Sequence, residues 1–287
     1  MKIVLAGACG KLGSDILRAL IREGHEVTAA DVVDRDVEGA DRSRYVFRKL
    51  DVTDAPSLKG LCDGADAVIT TVGLTGVSAQ LTNYDIDYRG NLNLLNEAVR
   101  AGVRKFVYIS VLHADTAPEE VPMCYAKKLM EAELVKSGIP YVIHRPSGYF
   151  YDIVKVFRPM IEKGKVTLLG KKPVSANVVD TPDFADFILE HLSDQNAVYN
   201  VGGKETWTYE EIARMCFEAA GKEPQISTAP PWLFDVLANL PKNKKNGKQP
   251  IIRFSKWTLS NDMVGDTKVG SHSFKEYIHD SFAGGGK

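Results

Sequence analysis

MKIVLAGACGKLGSDILRALIREGHEVTAAD, residues 1–31, is the segment from which the fold is most readily predicted. Residues 1–6 form an apolar run of strand length. Three glycines follow it directly: Gly7, Gly10 and Gly13. Apolar residues at helical spacing then predict a helix, and residues 26–30 predict a second strand that ends at Asp31. This order of strand, glycine-rich turn, helix, strand and acid is typical of a dinucleotide-binding unit.

The three glycines have different expected roles. Gly7 permits a tight turn, Gly10 lets a pyrophosphate approach the backbone, and Gly13 lets the helix pack closely on the strand. The first turn of the helix offers unpaired N–H groups to the phosphates. Asp31 is expected to accept hydrogen bonds from the adenosine ribose. The residues predicted to line the phosphate site are Gly7, Cys9, Gly10, Lys11, Leu12 and Gly13.

Composition and charge narrow the function classes. The chain has 287 residues, 44% of them hydrophobic, which suffices for one large α/β domain or two small ones. Its net charge of −1 gives no reason to expect a nucleic acid or membrane partner, and no apolar run approaches membrane-spanning length. Four scattered cysteines and six scattered histidines predict neither a disulfide framework nor a metal site, and fit a cytoplasmic protein. No cleavable leader is expected, because the chain enters the first strand directly.

Strands and helices alternate over the first half of the chain, which predicts an α/β fold with a doubly wound Rossmann parallel sheet. Further strands are predicted at residues 46–50, 67–71, 106–110 and 141–144, the last stopped by Arg145-Pro146. Long helices are predicted over residues 81–101 and 121–136. We therefore assign residues 1–145 to an NAD(P)-binding domain.

The pattern changes after residue 145, and residues 146–287 are predicted to form a small substrate-binding lobe. The lobe is interleaved with the last sheet elements and is not expected to fold alone. An aromatic-rich segment at 148–160 precedes short strands, helices and loops: strands near 166–169, 176–179 and 198–201, helices over 183–192, 208–220 and 274–282, a loop at 242–248 and a flexible tail at 283–287. Thr208 and Glu211 have the spacing of a capping box.

Four later segments resemble a known superfamily. They are DVTD at 51–54, DIDYRGNLNLLNEAV at 85–99, VRKFVYIS at 103–110 and KKLMEAELVKSGIPYVIHRP at 127–146. Together with the glycine-rich turn, they resemble the short-chain dehydrogenase/reductase superfamily. The most similar branch is the atypical, NmrA-like one, which includes isoflavone-reductase-like and divinyl-chlorophyllide-reductase-like enzymes. The resemblance extends over about residues 1–215 and implies a nicotinamide cofactor.

The resemblance implies further cofactor contacts at the ends of successive strands. Asp51 is expected to meet the adenine, with Val52 beside its ring. The segment Thr71, Val72 and Gly73 is expected to line the path of the ribose and pyrophosphate. Pro146, Ser147 and Gly148 are expected to approach the nicotinamide, and Ser110 and Lys127 are also assigned to the cofactor site.

The choice between NAD and NADP depends on opposing charges. Asp31 would repel a 2′-phosphate, which favours NAD(H). Lys11 in the glycine-rich turn and Arg35 after the second strand could instead bind that phosphate. Because the acid at the end of the strand faces the ribose directly, we favour NAD(H) over NADP(H).

The catalytic residues depart from the family pattern. Many members use Tyr-x-x-x-Lys, and the resemblance aligns Lys127 with the lysine, so that Met123 occupies the tyrosine position. Methionine has no proton to donate. Tyr125 lies on nearly the opposite helix face from Lys127, but a local register shift could form a Tyr125–Lys128 pair. Lys127 itself could hold the nicotinamide ribose and relay a proton, or be a solvated helix lysine.

Other polar residues near the same sheet edge have two interpretations each. Ser110 could hold the substrate or a relay water, or cap the next turn. His113 could exchange protons near neutral pH, or be an idle loop residue. His144 is read as a hydrogen-bonded core residue. Residues 149–151 (YFY) could form the wall of an apolar pocket or pack the lobe onto the sheet.

These observations give three functional hypotheses. The first is an oxidoreductase that transfers hydride to or from a small, fairly apolar carbonyl, enone or quinone substrate. The second is a non-catalytic NAD(P)-sensing regulator or assembly factor of the NmrA-like type. The third is a nucleotide-sugar epimerase or dehydratase, which is disfavoured because such reactions usually need the tyrosine as base. We expect a monomer or homodimer.

Overall fold

The computed structural model describes residues 1–74, 76–170 and 172–283. These residues divide into two compact units. The first comprises Met1–Arg145 and Phe184–Tyr199, and the second comprises Pro146–Asp183 and the chain from Asn200 onward.

The first unit alternates strands and helices as predicted. Its elements are β1 (Lys2–Ala6), α1 (Lys11–Arg22), β2 (Glu26–Asp31), β3 (Tyr45–Lys49), β4 (Ala67–Thr70), a π-helix (Tyr84–Gly90) that continues into α2 (Asn91–Arg100), β5 (Phe106–Ile109), α3 (Pro122–Lys136) and β6 (Tyr141–Pro146). Short 3₁₀ turns occur at Arg42–Arg44, Ala55–Leu58 and Ala114–Thr116.

The strands of the first unit pair in parallel in the order β3-β2-β1-β4-β5-β6. The register places Ala6 beside both Ala30 and Thr70, so β1, β2 and β4 end at one edge. β1 and β4 lie side by side where the strand order reverses, which is where doubly wound sheets bind ligands. Apolar side chains cover both sheet faces, and the largest fully buried ones include Phe106 and Tyr108.

The remaining elements lie wholly or partly in the second unit. They are α4 (Phe150–Glu162), β7 (Val166–Leu169), β8 (Ser175–Ala176), α5 (Thr181–Glu190), β9 (Ala197–Gly203), β10 (Trp207–Thr208), α6 (Tyr209–Ala219), β11 (Ile226–Ala229), α7 (Trp232–Asn239), α8 (Pro241–Lys245), α9 (Gln249–Thr258), β12 (Thr267–Val269) and α10 (Phe274–Ala283). Most of α5 and the start of β9 belong to the first unit. β12 pairs in parallel with β9, and the described residues place eight strands in this sheet.

The doubly wound Rossmann prediction is confirmed, and several local predictions are wrong. β6 continues through Arg145 to Pro146, two residues past the predicted stop, and the hydrogen bonds of Arg145 to Glu131 hold the chain there. Residues 148–160 contain α4. Its β-branched and aromatic residues and its internal Pro159 have low helix propensity, so the sequence does not indicate a helix here. Burial of Phe150 and Phe157 stabilises the helix. Part of the predicted loop at 242–248 is α8, and the strand predicted at 176–179 is reduced to Ser175–Ala176.

Two other features of the chain bear on the sequence predictions. Thr208 and Glu211 do form a reciprocal capping box at the start of α6. Among the described residues, no helix combines the length and apolar character needed to cross a bilayer. Of the tail predicted to be flexible, residues 284–287 lie outside the described residues.

Candidate functional site

The glycine-rich turn has the backbone geometry that a close phosphate contact needs. Gly7 has φ +80°, a conformation that side chains strongly disfavour. A Cβ at Gly13 would lie 2.0 Å from the Gly7 carbonyl oxygen, so only glycine lets α1 approach the turn this closely. No side chain caps α1, so the first N–H groups of this 12-residue helix remain available to an anion.

An acidic and a basic side chain both bind the backbone of Cys9 in this turn. The Asp31 carboxylate accepts hydrogen bonds from the Cys9 amide at 2.9 Å and the Val32 amide at 2.8 Å. The Arg35 guanidinium donates to the Cys9 carbonyl. Lys11 instead lies 3.6 Å from Asp15, one helical turn along α1. Asp31 and Arg35 are therefore both placed beside the turn, whereas the Lys11 ammonium is directed along the helix.

The end of β4 is tied to the turn and to the π-helix. The Thr71 hydroxyl lies 3.1 Å from the Gly7 carbonyl oxygen, to which it donates. The Asn91 amide donates to the Val72 carbonyl at 3.1 Å, and the Thr70 hydroxyl donates to Asn91 at 2.7 Å. These bonds fix the backbone of residues 71–73 at the carboxyl edge of the sheet.

Lys127 forms a largely buried ion pair at the same edge. Its ammonium lies 3.3 Å from Asp87 and donates to the Ile109 carbonyl at 3.1 Å. The side chains of Lys127 and Asp87 are only 14% and 2% exposed. Asp87 lies on the π-helix and also accepts from the Asn83 amide at 3.0 Å and the Leu74 backbone at 3.2 Å. A Cβ at Gly73 would lie 2.8 Å from the Asp87 carboxylate. Glycine at this position therefore leaves the Asp87–Lys127 ion pair uncovered on the side of Gly73.

The start of α3 shows no register shift that would restore a tyrosine beside this lysine. α3 is a regular α-helix from Pro122 to Lys136, with Met123 in its first turn. Tyr125 and Lys128 do share a face, but the ammonium lies over the ring at 5.7 Å. Tyr125 also makes an edge contact with Tyr84, with ring centroids 6.5 Å apart. Tyr125–Lys128 is thus a cation–π contact.

Ser110 is part of a buried network. Its hydroxyl donates to Glu131 at 2.5 Å, and Arg145 binds the same carboxylate through two nitrogens at 3.0 and 2.6 Å. Arg145 also contacts Asp115 at 3.0 Å. Burial acts to lower the pKa of Arg145, but the hydrogen bonds and negative charges of Glu131 and Asp115 together outweigh it, and the pKa is raised. Ser110 does not cap the next turn, because its hydroxyl proton points to Glu131 on α3.

The two candidate histidines lie in different environments. His113 is half-buried with φ +61°, and its carbonyl accepts from the Thr116 amide at 3.2 Å. His144 is fully buried among Phe184, Phe187 and Tyr199, and its ring stacks on Tyr199 at 5.6 Å. Neither His144 nitrogen has a hydrogen-bond partner among the residues that the structure describes, so the prediction of a hydrogen-bonded residue is wrong. Burial lowers the pKa of His144 to about 3.

The residues predicted to meet the adenine have local contacts of their own. The Asp51 carboxylate accepts from the Thr53 amide at 2.9 Å and hydroxyl at 2.7 Å, which lowers its pKa. Val52 is 4% exposed, and its carbonyl accepts from Asn93 at 2.9 Å. Contact of Asp51 and Val52 with the cofactor stays a prediction.

The residues predicted near the nicotinamide belong, from Pro146 onward, to the second unit. Ser147 donates from its backbone to Val201 at 2.8 Å and from its hydroxyl to Asn177 at 2.9 Å. Gly148 has φ +144° and lies against Val178. Phe150 packs against Phe274 and Tyr277 of α10, and Tyr149 stacks on Tyr151. A cavity of about 210 Å³ in this unit is lined by other residues, including Leu169, Val174, Tyr209 and Arg214.

Sequence reasoning missed the acidic partners of the site. Asp87 and Glu131 were inside quoted motifs but were not singled out. Their partners are distant in sequence: Lys127 is 40 residues beyond Asp87, and Ser110 is 21 residues before Glu131. No local signal marks these acids, because Asp87 stands between Asn83 and Asn91 at helical spacing and Glu131 follows Lys127 at the same spacing.

The parallel sheet, the glycine-rich turn and Asp31 at the end of β2 define a Rossmann dinucleotide-binding protein. A family model described as NAD(P)H-binding matches residues 7–195. The chain belongs to this NAD(P)H-binding family, and the predicted resemblance to atypical, NmrA-like short-chain dehydrogenases/reductases is confirmed. A nicotinamide cofactor is accordingly its small-molecule ligand.

Curated relatives have differing names. The chain is 27% identical over 233 residues to "Photosystem II assembly factor Ycf39" of Synechocystis, covering 80% of this chain and 71% of that protein. It is 29% identical over 273 residues to "Divinyl chlorophyllide a 8-vinyl-reductase, chloroplastic" of Zea mays, covering 83% and 66%. An Escherichia coli NADPH-dependent quinone oxidoreductase has a similar fold, with TM-score 0.75, 18% identity, and 98% and 99% of the chains covered.

Proposed function

We propose that the chain is an NAD(P)-dependent oxidoreductase that transfers hydride to or from a small, fairly apolar carbonyl, enone or quinone compound. The observation that carries this proposal is the ion pair of Lys127 with Asp87. It lies at the carboxyl edge of the sheet, and the Lys127 ammonium is 3.5 Å from where a Cβ of Gly73 would be. Ligands of doubly wound sheets bind outside this edge.

Lys127 has a donor to spare for the cofactor. An ammonium has three N–H donors, and the described residues account for two of them, through Ile109 and Asp87. We assign the third to a hydroxyl of the nicotinamide ribose. Asp87, held in turn by Asn83 and the Leu74 amide, keeps the ammonium at this position.

The reaction also needs a proton for the substrate. A bound reduced nicotinamide supplies the hydride. Met123 cannot donate a proton, and the Ser110 hydroxyl is directed to Glu131. Lys127 is therefore our first candidate for the proton path, directly or through the ribose hydroxyl. Tyr125 and His113 are the alternative proton donors.

The position of Asp31 supports a preference for NAD(H). Its carboxylate is fixed at the turn by the Cys9 and Val32 amides, where a 2′-phosphate would meet negative charge. Titration calorimetry with NADH and NADPH side by side tests this preference. NADH should bind at least about tenfold more tightly, equivalent to about 1.4 kcal/mol. Tighter binding of NADPH would instead indicate that Arg35 binds the 2′-phosphate.

Turnover by lysine variants tests the proposed reaction. Cofactor oxidation is measured at saturating NADH with a panel of quinones, enones and carbonyl compounds. Lys127→Ala should lower kcat by about 10²- to 10⁴-fold, the usual contribution of a proton-transfer group. Lys128→Ala, one residue along the same helix, is the control and should change kcat by less than about threefold.

The Lys127→Ala variant leaves Asp87 unpaired, so folding must be checked. Lys127→Met/Asp87→Asn removes both charges and should restore thermal stability without restoring turnover. Full turnover by Lys127→Ala with saturating cofactor would remove the lysine from the mechanism.

A non-catalytic NAD(P)-sensing regulator or assembly factor is the second candidate. It is favoured by Met123 in the tyrosine position and by the Ser110 hydroxyl being taken up by Glu131. One relative is named an assembly factor. Cofactor binding without turnover of any substrate in the panel would support this function, and stoichiometric cofactor oxidation would exclude it as the sole function. An epimerase would be expected to retain NAD through purification.

A further inference from the structure

The segment from Pro231 to Ser260 carries a charge unlike that of the rest of the chain. It contains six basic residues and one acidic residue, a net charge of +5. Because the whole chain has a net charge of −1, the remaining residues together carry −6. The near-neutral total therefore conceals a strongly basic segment, which comprises α7, α8 and α9.

α7 carries a group of exposed apolar side chains. Its Asp235 is bound by Lys256 of α9 at 2.7 Å, and Ala238 is buried. Trp232 and Val236 are four residues apart, so they share a helix face, and they are 62% and 49% exposed. Leu237, next to Val236, is 38% exposed. Exposed large apolar side chains grouped on one helix face indicate an interaction surface.

Lysines follow this apolar face directly. Lys242, Lys244 and Lys245 lie on α8, and Lys248 follows it; all four are exposed. Within the described part of the chain, no ion pair joins these four ammonium groups to a carboxylate. We call the surface formed by Trp232, Val236, Leu237 and these four lysines the basic apolar face.

We propose that the basic apolar face binds the surface of an anionic lipid bilayer. Helices that lie in a membrane interface combine lysines with exposed Trp and aliphatic side chains, which is the composition of this face. Exposed Trp and aliphatic side chains next to exposed lysines match an anionic lipid surface in both apolar character and charge. Lysine ammonium groups complement anionic headgroups, and the tryptophan ring sits at the boundary between headgroups and acyl chains.

Vesicle sedimentation with the full chain tests this proposal. Vesicles of phosphatidylcholine alone are compared with vesicles containing about 30 mol% phosphatidylglycerol. The chain should sediment only with the anionic vesicles, and raising salt from about 0.05 M to about 0.5 M should release it because the headgroup charge is screened. Equal binding to both vesicle types, or no binding to either, would overturn the proposal.

Variants separate the two parts of the face. Lys244→Gln/Lys245→Gln should weaken binding to anionic vesicles by at least about tenfold. Lys163→Gln/Lys165→Gln, a pair of exposed lysines elsewhere in the second unit, is the matched control and should bind like the parent. Trp232→Ser should weaken binding about tenfold with all lysines present. All are surface positions, and unchanged NADH binding confirms that each variant is folded.

Two further outcomes bear on the proposal. Brominated lipids should quench Trp fluorescence in the parent, and most of that quenching should vanish in Trp232→Phe. Retention on an immobilised acidic polypeptide without any vesicle binding would overturn the lipid assignment and indicate an acidic protein partner.

Discussion

His144 should make the protein sensitive to acid, and replacing it should remove that sensitivity. The ring is fully buried against three aromatic side chains and neither nitrogen has a partner. Burial lowers its pKa from 6.5 to about 3 in the folded state. As pH falls below about 6.5, the unfolded chain takes up a proton that the folded chain does not, so stability is lost progressively down to about pH 3.

The magnitude follows from the width of that window. Each pKa unit corresponds to about 1.36 kcal/mol, so the full window would cost about 5 kcal/mol and the step from pH 6.5 to pH 5 about 2 kcal/mol. His144→Phe also removes two buried unsatisfied nitrogens, each costing about 1 to 3 kcal/mol, against an overpacking cost of about 1 kcal/mol. We expect the variant to be more stable at pH 7 by about 1 kcal/mol or more.

Urea unfolding of the parent and His144→Phe at pH 7 and pH 5 measures both effects. The stability gain of the variant should be larger at pH 5 than at pH 7 by about 2 kcal/mol. His144→Leu, a smaller apolar replacement, distinguishes ring packing from loss of the titrating group and should show the same pH difference. If His144→Phe gains the same stability at pH 7 and at pH 5, the conclusion that His144 is buried and neutral in the folded state is wrong.

Three further substitutions test the site. Gly13→Ala should abolish NADH binding and destabilise the fold by about 3 kcal/mol, because the added Cβ would overlap the Gly7 carbonyl oxygen. Gly76→Ala is the control and should change little, because among the described residues beyond its chain neighbours no atom lies within 4 Å of the added Cβ. Calorimetry measures NADH binding and thermal unfolding measures the stability of both variants. Asp31→Ser should shift the NADPH-to-NADH affinity ratio at least about tenfold towards NADPH, and an unchanged ratio in paired titrations would contradict the role of this acid. Glu131→Leu should cost about 3 kcal/mol in urea unfolding because it leaves Arg145 half-buried without its bidentate partner, and Glu131→Leu/Arg145→Met should recover most of that loss.

Local sequence patterns predicted the cofactor half of the fold well. The role of Gly13 could be inferred because the atoms that its Cβ would meet belong to Gly7 and Ala8, a few positions away. The role of Gly7 could be inferred because its φ of +80° is a property of the turn itself. Asp87 and Glu131 could not be assigned, because their partners come from other elements and are known only once the sheet is assembled. The same limit explains the error at His144, since its neighbours Phe184 and Tyr199 lie far along the chain.

The second half was predicted less well for a related reason. α4 contains Pro159 and several β-branched and aromatic residues, so its helix depends on burial of residues such as Phe157 more than on propensity. α7 and α9 were not predicted at all. No motif marks the apolar residues of α7, and the exposure of Trp232 and Val236 becomes known only from the structure.

The π-helix from Tyr84 to Gly90 makes the acid–lysine pair depend on how this segment winds. A π-turn holds one residue more than an α-turn, so the segment takes up one residue beyond what an α-helix of the same length would hold. If the same residues wound as α-helix with none deleted, the N-terminal part of the segment would rotate by about 100° relative to α2. Asn91 would keep its bonds to β4, while Asp87 would turn away from Lys127. The winding of a single turn thus separates a sheet edge that holds a charged pair from one that does not, with the same residues present.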